Sequence, residues 1–502
     1  MDVTATVWTL LPPIIAIALA LITKEVYSSL MIGILSGALL YTGFHPLKAV
    51  ETTFTIMGSK LGDNINICIF LVLLGILVSL ITKSGASRAY GEWAVKTIRS
   101  RRGASFATSF LGMFIFVDDY FNCLTVGSVM TPVTDSQRIS RVKLAYLIDA
   151  TAAPICMIAP ISSWAAAVSG VAAKLDTGVS GIQLFIEAIP YNFYSLLTIV
   201  FVITMVVLGV DYGPMAAAEL KAAQTGDLGA LSEEQEEGSS RANMWDMLIP
   251  IILLIIFCVI GLIYVGGFWD PETNAGDFIA AFGDTDAFVG LPWGALIALV
   301  LSIIYLCARR VITFKGAMGC MTKGFNAMVP AILILTFAVS LKSMTGLLGA
   351  ADYVEGLMKQ ASEGLFMLLP AIIFVVACLL AFATGTSWGT FGILIPIVLP
   401  IFNAAPDLQI MGISACLAGA VCGDHCSPIS DTTIMASAGA NCNHIDHVST
   451  QIPYAVTVAA ICFVNYILAA FIRNVVISLA IGVVMVIGTL LVIRSVQSRK
   501  AA

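Results

Sequence analysis

Residues 423–439 read GDHCSPISDTTIMASAG and lie inside a long apolar stretch of chain. Asp424, His425 and Asp431 can carry charge, Ser427, Ser430, Thr432 and Thr433 offer hydroxyls, and Pro428 removes a backbone donor and breaks the helix ladder. The apolar flanks, 410–421 and 434–440, are too short to cross a bilayer separately. A helix interrupted at membrane depth persists only where its freed carbonyls face protein or a wet cavity. Ionisable groups at that depth read as functional by default. A plain surface loop between two helices is the competing reading, and the short flanks weigh against it.

The chain is 59% hydrophobic and 11% charged over 502 residues, where soluble domains carry roughly 25% charged residues. The fold class implied is an all-α polytopic membrane protein with about 11–13 transmembrane helices, each needing about 20 apolar residues, and the lipid bilayer as partner. The net charge of −6 lies mostly in loops and points to no nucleic acid. Residues 10–22 lack the flanks of a cleaved signal and are expected to form the first span. The twelve cysteines are scattered through apolar segments and read as small buried hydrophobes, without a disulfide framework. Cys422, Cys426, Cys442, His425, His444 and His447 crowd together, but their spacing fits no usual zinc pattern. The surrounding hydroxyls and carboxylates suit a hard cation better. No cofactor is expected beyond Na⁺ and H⁺ as transported or coupling ions.

Residues 1–66 hold N-terminal helices. A first unit, 67–211, is expected to contain a hairpin near 104–137 and a broken helix near 144–175, with 184–210 as one clean span. A linker, 212–243, includes SEEQEE and reads as solvated and cytoplasmic. Connecting helices fill 244–324. A second unit, 325–472, has a hairpin near 365–402 and a broken helix near 409–440, and 473–502 forms a C-terminal helix with a basic tail. The units echo each other: Ser79 and Gly85 stand 261 positions before Ser340 and Gly346, Pro132 is 264 before Pro396, and PIS at 160–162 is 268 before PIS at 428–430. Segment 83–102 is basic, whereas its counterpart 352–363 sets Asp352, Glu355 and Glu363 against Lys359. Basic loops stay inside, so the two units are expected to be inverted. Inverted repeats with paired broken helices mark secondary transporters, with the site at the midplane.

Four polar breaks are expected, near 118–122, 160–163, 384–389 and 426–432. Their candidate ligands are Asp119, Asn122, Asp149, Ser162 and Ser163 from one unit, and Thr386, Ser387, Ser427, Ser430 and Asp431 from the other. Na⁺ is placed at Asp431, Ser427, Asp149 and Asn122, because carboxylate, hydroxyl and carbonyl oxygens suit a hard cation. A desolvated carboxylate that holds Na⁺ or H⁺, never both, exchanges them by competition. Asp149 and Asp431 are the candidates for it, with His425 as a third titratable group. Each has a structural alternative. Asp149 can fix helix packing, Asp118 and Asp119 can end a helix at a wet surface, and His425 can be a satisfied core histidine. Trp164 and Trp388, at matching breaks, either line a substrate cavity or pack in the core.

The runs DDYFNCLTVGSVM (118–130), LIDATAAPICMIAPISSW (147–164), GDHCSPISDTT (423–433) and HIDHVSTQIPYA (444–455) resemble the N- and C-terminal signatures of the NhaC-type Na⁺/H⁺ antiporter family. The resemblance implies inverted hairpin repeats, divided into a scaffold and a moving transport part, with elevator-like or rocking motion. It implies a multi-pass protein of the bacterial inner membrane, expected as a homodimer. The activity expected is Na⁺/H⁺ antiport by alternating access. The alternative is Na⁺- or H⁺-coupled transport of a small organic solute, an amino acid or a carboxylate such as malate or lactate. An enzyme is not expected: an Asp424–His425 pair with a serine would leave the repeats without a purpose. Opposed hairpins likewise suit alternating access better than a channel.

Overall fold

The structure is a computed structural model, and it describes residues 5–23, 26–63, 65–86, 89, 93, 97–116, 119–159, 162, 164, 168, 181–231, 241–350, 352–353, 367–401 and 406–501. Regular structure among them is helical, apart from an isolated bridge between Ala230 and Cys442. Helices α1 (Leu11–Thr23), α2 (Val26–Tyr41), α3 (Pro46–Asp63) and α4 (Ile65–Lys83) come first. A hairpin of α5 (Arg101–Phe114) and α6 (Asp119–Ser136) follows, then α7 (Arg141–Asp149) and the single turn α8 (Ala153–Cys156). Next are α9 (Gly181–Ala188), α10 (Phe193–Leu208) and α11 (Gly213–Thr225). The middle of the chain forms α12 (Trp245–Val265), α13 (Phe278–Gly283), α14 (Ala287–Ala308) and α15 (Phe314–Leu347). A second hairpin of α16 (Leu369–Thr384) and α17 (Ser387–Ile401) leads to α18 (Pro406–Cys426), α19 (Asp431–Gly439), α20 (His444–Ile472) and α21 (Val475–Ala501).

Five described helices are long and apolar enough to cross a membrane, and seven spans result if each of two bent pairs counts as one. The chain is thus a polytopic membrane protein. Helices α1, α2 and α16 are apolar as well, but at 13, 16 and 16 residues they are short of a full span. One bent pair is α18–α19, which turns by 51° at the polar stretch 427–430. Buried charge calls for a partner. Asp246, at the start of α12, takes Arg309 Nε and the Tyr305 hydroxyl at 3.0 Å each.

The helices pack as two groups. One comprises α1–α4 with α12, α14 and α15, and the other gathers α5–α8, α10 and α16–α21. They meet at an apolar patch in which Ala16, Leu30, Ile34 and Leu341 face Ile429, Ile434 and Ile445.

Two expectations need correction. Residues 184–210 are not one span: α9 gives way to a 3-10 turn, Ile189–Tyr191, before α10 begins. Pro190 offers no N–H to the ladder, and the Asn192 side chain restarts the helix by accepting the Ser195 amide at 3.2 Å. The linker 212–243 is not simply solvated. Its first part is α11, with Met215 and Ala222 fully buried. Its continuation docks through the Leu228 carbonyl, which accepts from Arg141 N at 2.8 Å, and through Leu231 N, which donates to Asn441 O at 3.1 Å. SEEQEE lies outside the described residues, as do part of 83–102 and most of 352–363.

Candidate functional site

The site is built on the first turn of α19. Ser430 caps that helix by accepting the Thr433 amide at 3.1 Å, a preferred N-cap arrangement. The next three residues then reach three different groups. Asp431 accepts the Tyr120 hydroxyl at 2.5 Å. Thr432 points its hydroxyl towards Asp119 Oδ2 at 3.4 Å. Thr433 donates to Asp149 Oδ2 at 3.0 Å. A carboxylate in the first turn of a helix is favoured by its dipole, which supports Asp431 there.

Asp149 ends α7 and is fully buried. Its Oδ2 also accepts Gln451 Nε2 at 2.6 Å and faces His447 Nε2 at 3.4 Å. Its Oδ1 faces His425 Nε2 at 3.6 Å, and neither of these two buried atoms has a hydrogen-bond partner among the described residues. No Lys or Arg lies within ion-pair distance of Asp149 among them. A buried carboxylate so placed is costly unless a proton, a cation or an imidazolium balances it. Gln451 braces the pocket by also donating to the His425 carbonyl at 2.7 Å, and Tyr194 OH holds His425 Nδ1 at 3.2 Å.

Each hairpin tip rests on the helix break of its own unit. In the first, Asn122 Nδ2 bonds the carbonyls of Gly112, Ile115 and Thr151 at 2.7, 2.8 and 3.2 Å. In the second, Gly385 adopts φ +65° and lies so close that a Cβ there would stand 2.3 Å from the Ile429 carbonyl. Ser387 donates to Asp424 Oδ2 at 2.6 Å, and Ser427 to the Phe382 carbonyl at 2.8 Å.

Asp119, Asp149, Ser430, Asp431 and His425 therefore gather around one helix turn, with Ser387 close by through Asp424. Three other expected ligands serve the backbone. Asn122 and Ser427 satisfy carbonyls at the breaks, and Ser162 donates to the Cys156 carbonyl at 2.7 Å. Thr386 accepts the Gly389 amide at 3.2 Å and so caps α17. Ser163 lies outside the described residues. Trp164 and Trp388 meet edge to face at 5.8 Å beside Phe391, an aromatic pack in which both indole N–H groups are buried without a partner among the described residues. Asn122→Ala would leave three carbonyls unserved at a helix break. We expect it to destabilise the fold by about 2–4 kcal/mol, read as an earlier thermal unfolding of the purified protein.

His447, Gln451, Tyr120, Asp424 and Thr433 were not among the expected ligands. The only signal for His447 and Gln451 was their place in HIDHVSTQ, four residues apart and so on one helix face.

A family model described as the Na⁺/H⁺ antiporter family matches residues 155–471. An uncharacterised protein of Haemophilus influenzae is 37% identical over 487 residues, spanning 94% of this chain and 92% of that protein. An arginine/ornithine antiporter of Halobacterium salinarum is 26% identical over 47% of this chain and 44% of its own. A malate-2H⁺/Na⁺-lactate antiporter of Bacillus subtilis is 26% identical over 39% of this chain and 42% of its own. A helical membrane fold, interrupted helices that converge on buried acids and a match of this extent lead to one conclusion: the chain belongs to the Na⁺/H⁺ antiporter family, as a multi-pass membrane transporter of the antiporter type.

Proposed function

We propose that this protein exchanges Na⁺ for H⁺ by alternating access, with the two ions competing for Asp149. The observation that carries this reading is the pair of facing buried atoms, Asp149 Oδ1 and His425 Nε2, 3.6 Å apart and outside any hydrogen bond among the described residues. A proton neutralises that carboxylate, and so does a bare cation, but not both at once. Asp431 in the first turn of α19, Asp119 facing Thr432 at 3.4 Å, and Asp424 beside Ser387 supply further oxygen ligands, the donors a hard cation prefers. The matched seating of each hairpin tip on its own break supports an inverted-repeat design, with the α5–α8 and α16–α20 group moving against α12–α15. On this reading the protein sits in a bacterial inner membrane as a homodimer.

The test is pH inside proteoliposomes on an imposed Na⁺ gradient with no organic solute present. A Na⁺-driven pH change that requires Asp149 is expected. The second reading, Na⁺- or H⁺-coupled movement of an amino or carboxylic acid, draws on the two relatives whose names carry such solutes and on the buried Trp164–Trp388 pair, whose indole N–H groups have no partner among the described residues and suit an acceptor on a solute. It predicts silence in that assay and a signal once such a solute is added.

A further inference from the structure

Helix α7 carries its charges in the orientation its own dipole disfavours. Peptide dipoles put partial positive charge at a helix N-terminus and negative charge at its C-terminus. Yet Arg141 and Lys143 occupy the first turn of α7 and Asp149 its last residue, all of them buried. Each charge must therefore be balanced from another element. Arg141 forks onto Asp135 at 2.7 and 2.8 Å and donates to the Ala440 carbonyl at 2.8 Å. Lys143 pairs with Asp211, just beyond α10, and lies 3.2 Å from Met205 Sδ. Its ammonium stands 5.6 Å over the ring of Tyr454, whose hydroxyl donates to Asp211 at 2.7 Å. Asp211 is the member that reaches solvent, with 22% of its side chain exposed against 5% for Lys143.

Lys143 precedes Asp149 by six residues, so the two lie about 9 Å apart along the helix axis. Tyr146 stands between them and packs edge-on against Tyr454 at 4.9 Å. The groups that face Asp149 from other helices are His425 on α18, Thr433 on α19, and His447 and Gln451 on α20, with Asp119 of α6 beyond Thr432. Asp211 and Tyr454 face Lys143, and Tyr212 packs against Tyr454 at 4.6 Å.

We propose that Lys143 and Asp211 are positioning residues that set how tightly the site binds its cation. As a pair they are neutral and leave the buried acid at the far end of α7 attractive to a positive ion. This rests on the reading of Asp149 as the place where the cation binds. Breaking the pair one member at a time leaves opposite charges behind, so the two variants act in opposite directions. Asp211→Asn leaves an ammonium that repels the cation. Lys143→Met leaves a carboxylate that attracts it. The side chains add to the rise of about 9 Å along the axis, and at an effective dielectric near 20 one unit charge about 12 Å away changes affinity about tenfold.

The experiment measures the Na⁺ concentration that half-protects the purified full chain against thermal unfolding. Asp211→Asn is expected to raise it about tenfold, Lys143→Met to lower it about tenfold, and the double variant to lie within about twofold of the parent. Shifts in the same direction, or none, overturn the proposal. So does a double variant displaced tenfold. Where one single variant does not fold, the shift of the other relative to the double variant, which leaves no lone buried charge, decides the matter. Asp149→Asn runs alongside. If it keeps the parent's Na⁺ protection, the reading of Asp149 fails, and the pair is refuted with it. If it loses protection while the single variants do not diverge, the pair proposal fails alone.

Discussion

Asp149→Asn is expected to reduce Na⁺-driven exchange at least about a hundredfold, equivalent to about 2.7 kcal/mol in barrier, while the protein keeps its fold. Asparagine matches aspartate in size, and its amide oxygen can still accept from Thr433 and Gln451, which bond the carboxylate at 3.0 and 2.6 Å. What it cannot do is bind a proton, or offer a full negative charge to a cation. Asp149 is fully buried, and only imidazoles stand within ion-pair distance of it among the described residues, so removing its charge leaves no lone buried lysine or arginine behind. A buried carboxylate without a cationic side chain is itself costly, and a neutral isostere removes that cost. Thermal unfolding is therefore expected at or above the parent's temperature, together with a pH signal in proteoliposomes that no longer responds to Na⁺. A variant with intact exchange removes Asp149 from the mechanism. An unfolded variant would instead reveal a packing role.

The second large effect is expected at Gly385. This residue closes α16 in the left-handed region at φ +65°, and its amide donates to the Ala381 carbonyl at 2.8 Å. A Cβ there would meet the Ile429 carbonyl at 2.3 Å, and that carbonyl belongs to the rigid break between α18 and α19 rather than to a flexible side chain. Valine adds strain from its branched Cβ at positive φ to this clash. Gly385→Val is expected to cost about 3 kcal/mol or more, through strain and overpacking together. It should also push the hairpin tip off the break that carries Ser427 and Ser430. The measurement is thermal unfolding together with Na⁺ half-saturation, both expected to worsen. A variant with parental stability and affinity would show that the tip moves freely against the break.

These two residues were not equally legible in the chain. Pro428 among hydroxyls and acids announced a broken helix, because a missing N–H and a steric clash act within one turn of where they occur. The membrane class followed from apolar runs alone, since each span is a local property of about 20 residues. Asp149, Asp431 and His425 stood out because ionisable groups in apolar surroundings are costly wherever they land. Gly385, in the break near 384–389, marked a place where backbone can take positive φ or approach closely. Only its closeness to Ile429 makes a side chain intolerable there.

Tertiary structure decided the partners. Thr433 meets Asp149 across 284 positions of chain and Tyr120 meets Asp431 across 311, contacts for which no local spacing rule exists. The same holds for Arg141 and Lys143, basic residues between apolar stretches that prove to be buried in ion pairs with Asp135 and Asp211. Asn122 and Ser427 read as ion ligands, but in the folded chain their hydrogen bonds go to backbone carbonyls freed at the breaks. The physical reason is common to all of these cases. Helix starts, stops and breaks are settled by neighbours within a few residues, and so the sequence by itself determined them in outline. Which polar group balances which charge depends on the packing of helices far apart in the chain, and only the assembled fold sets that.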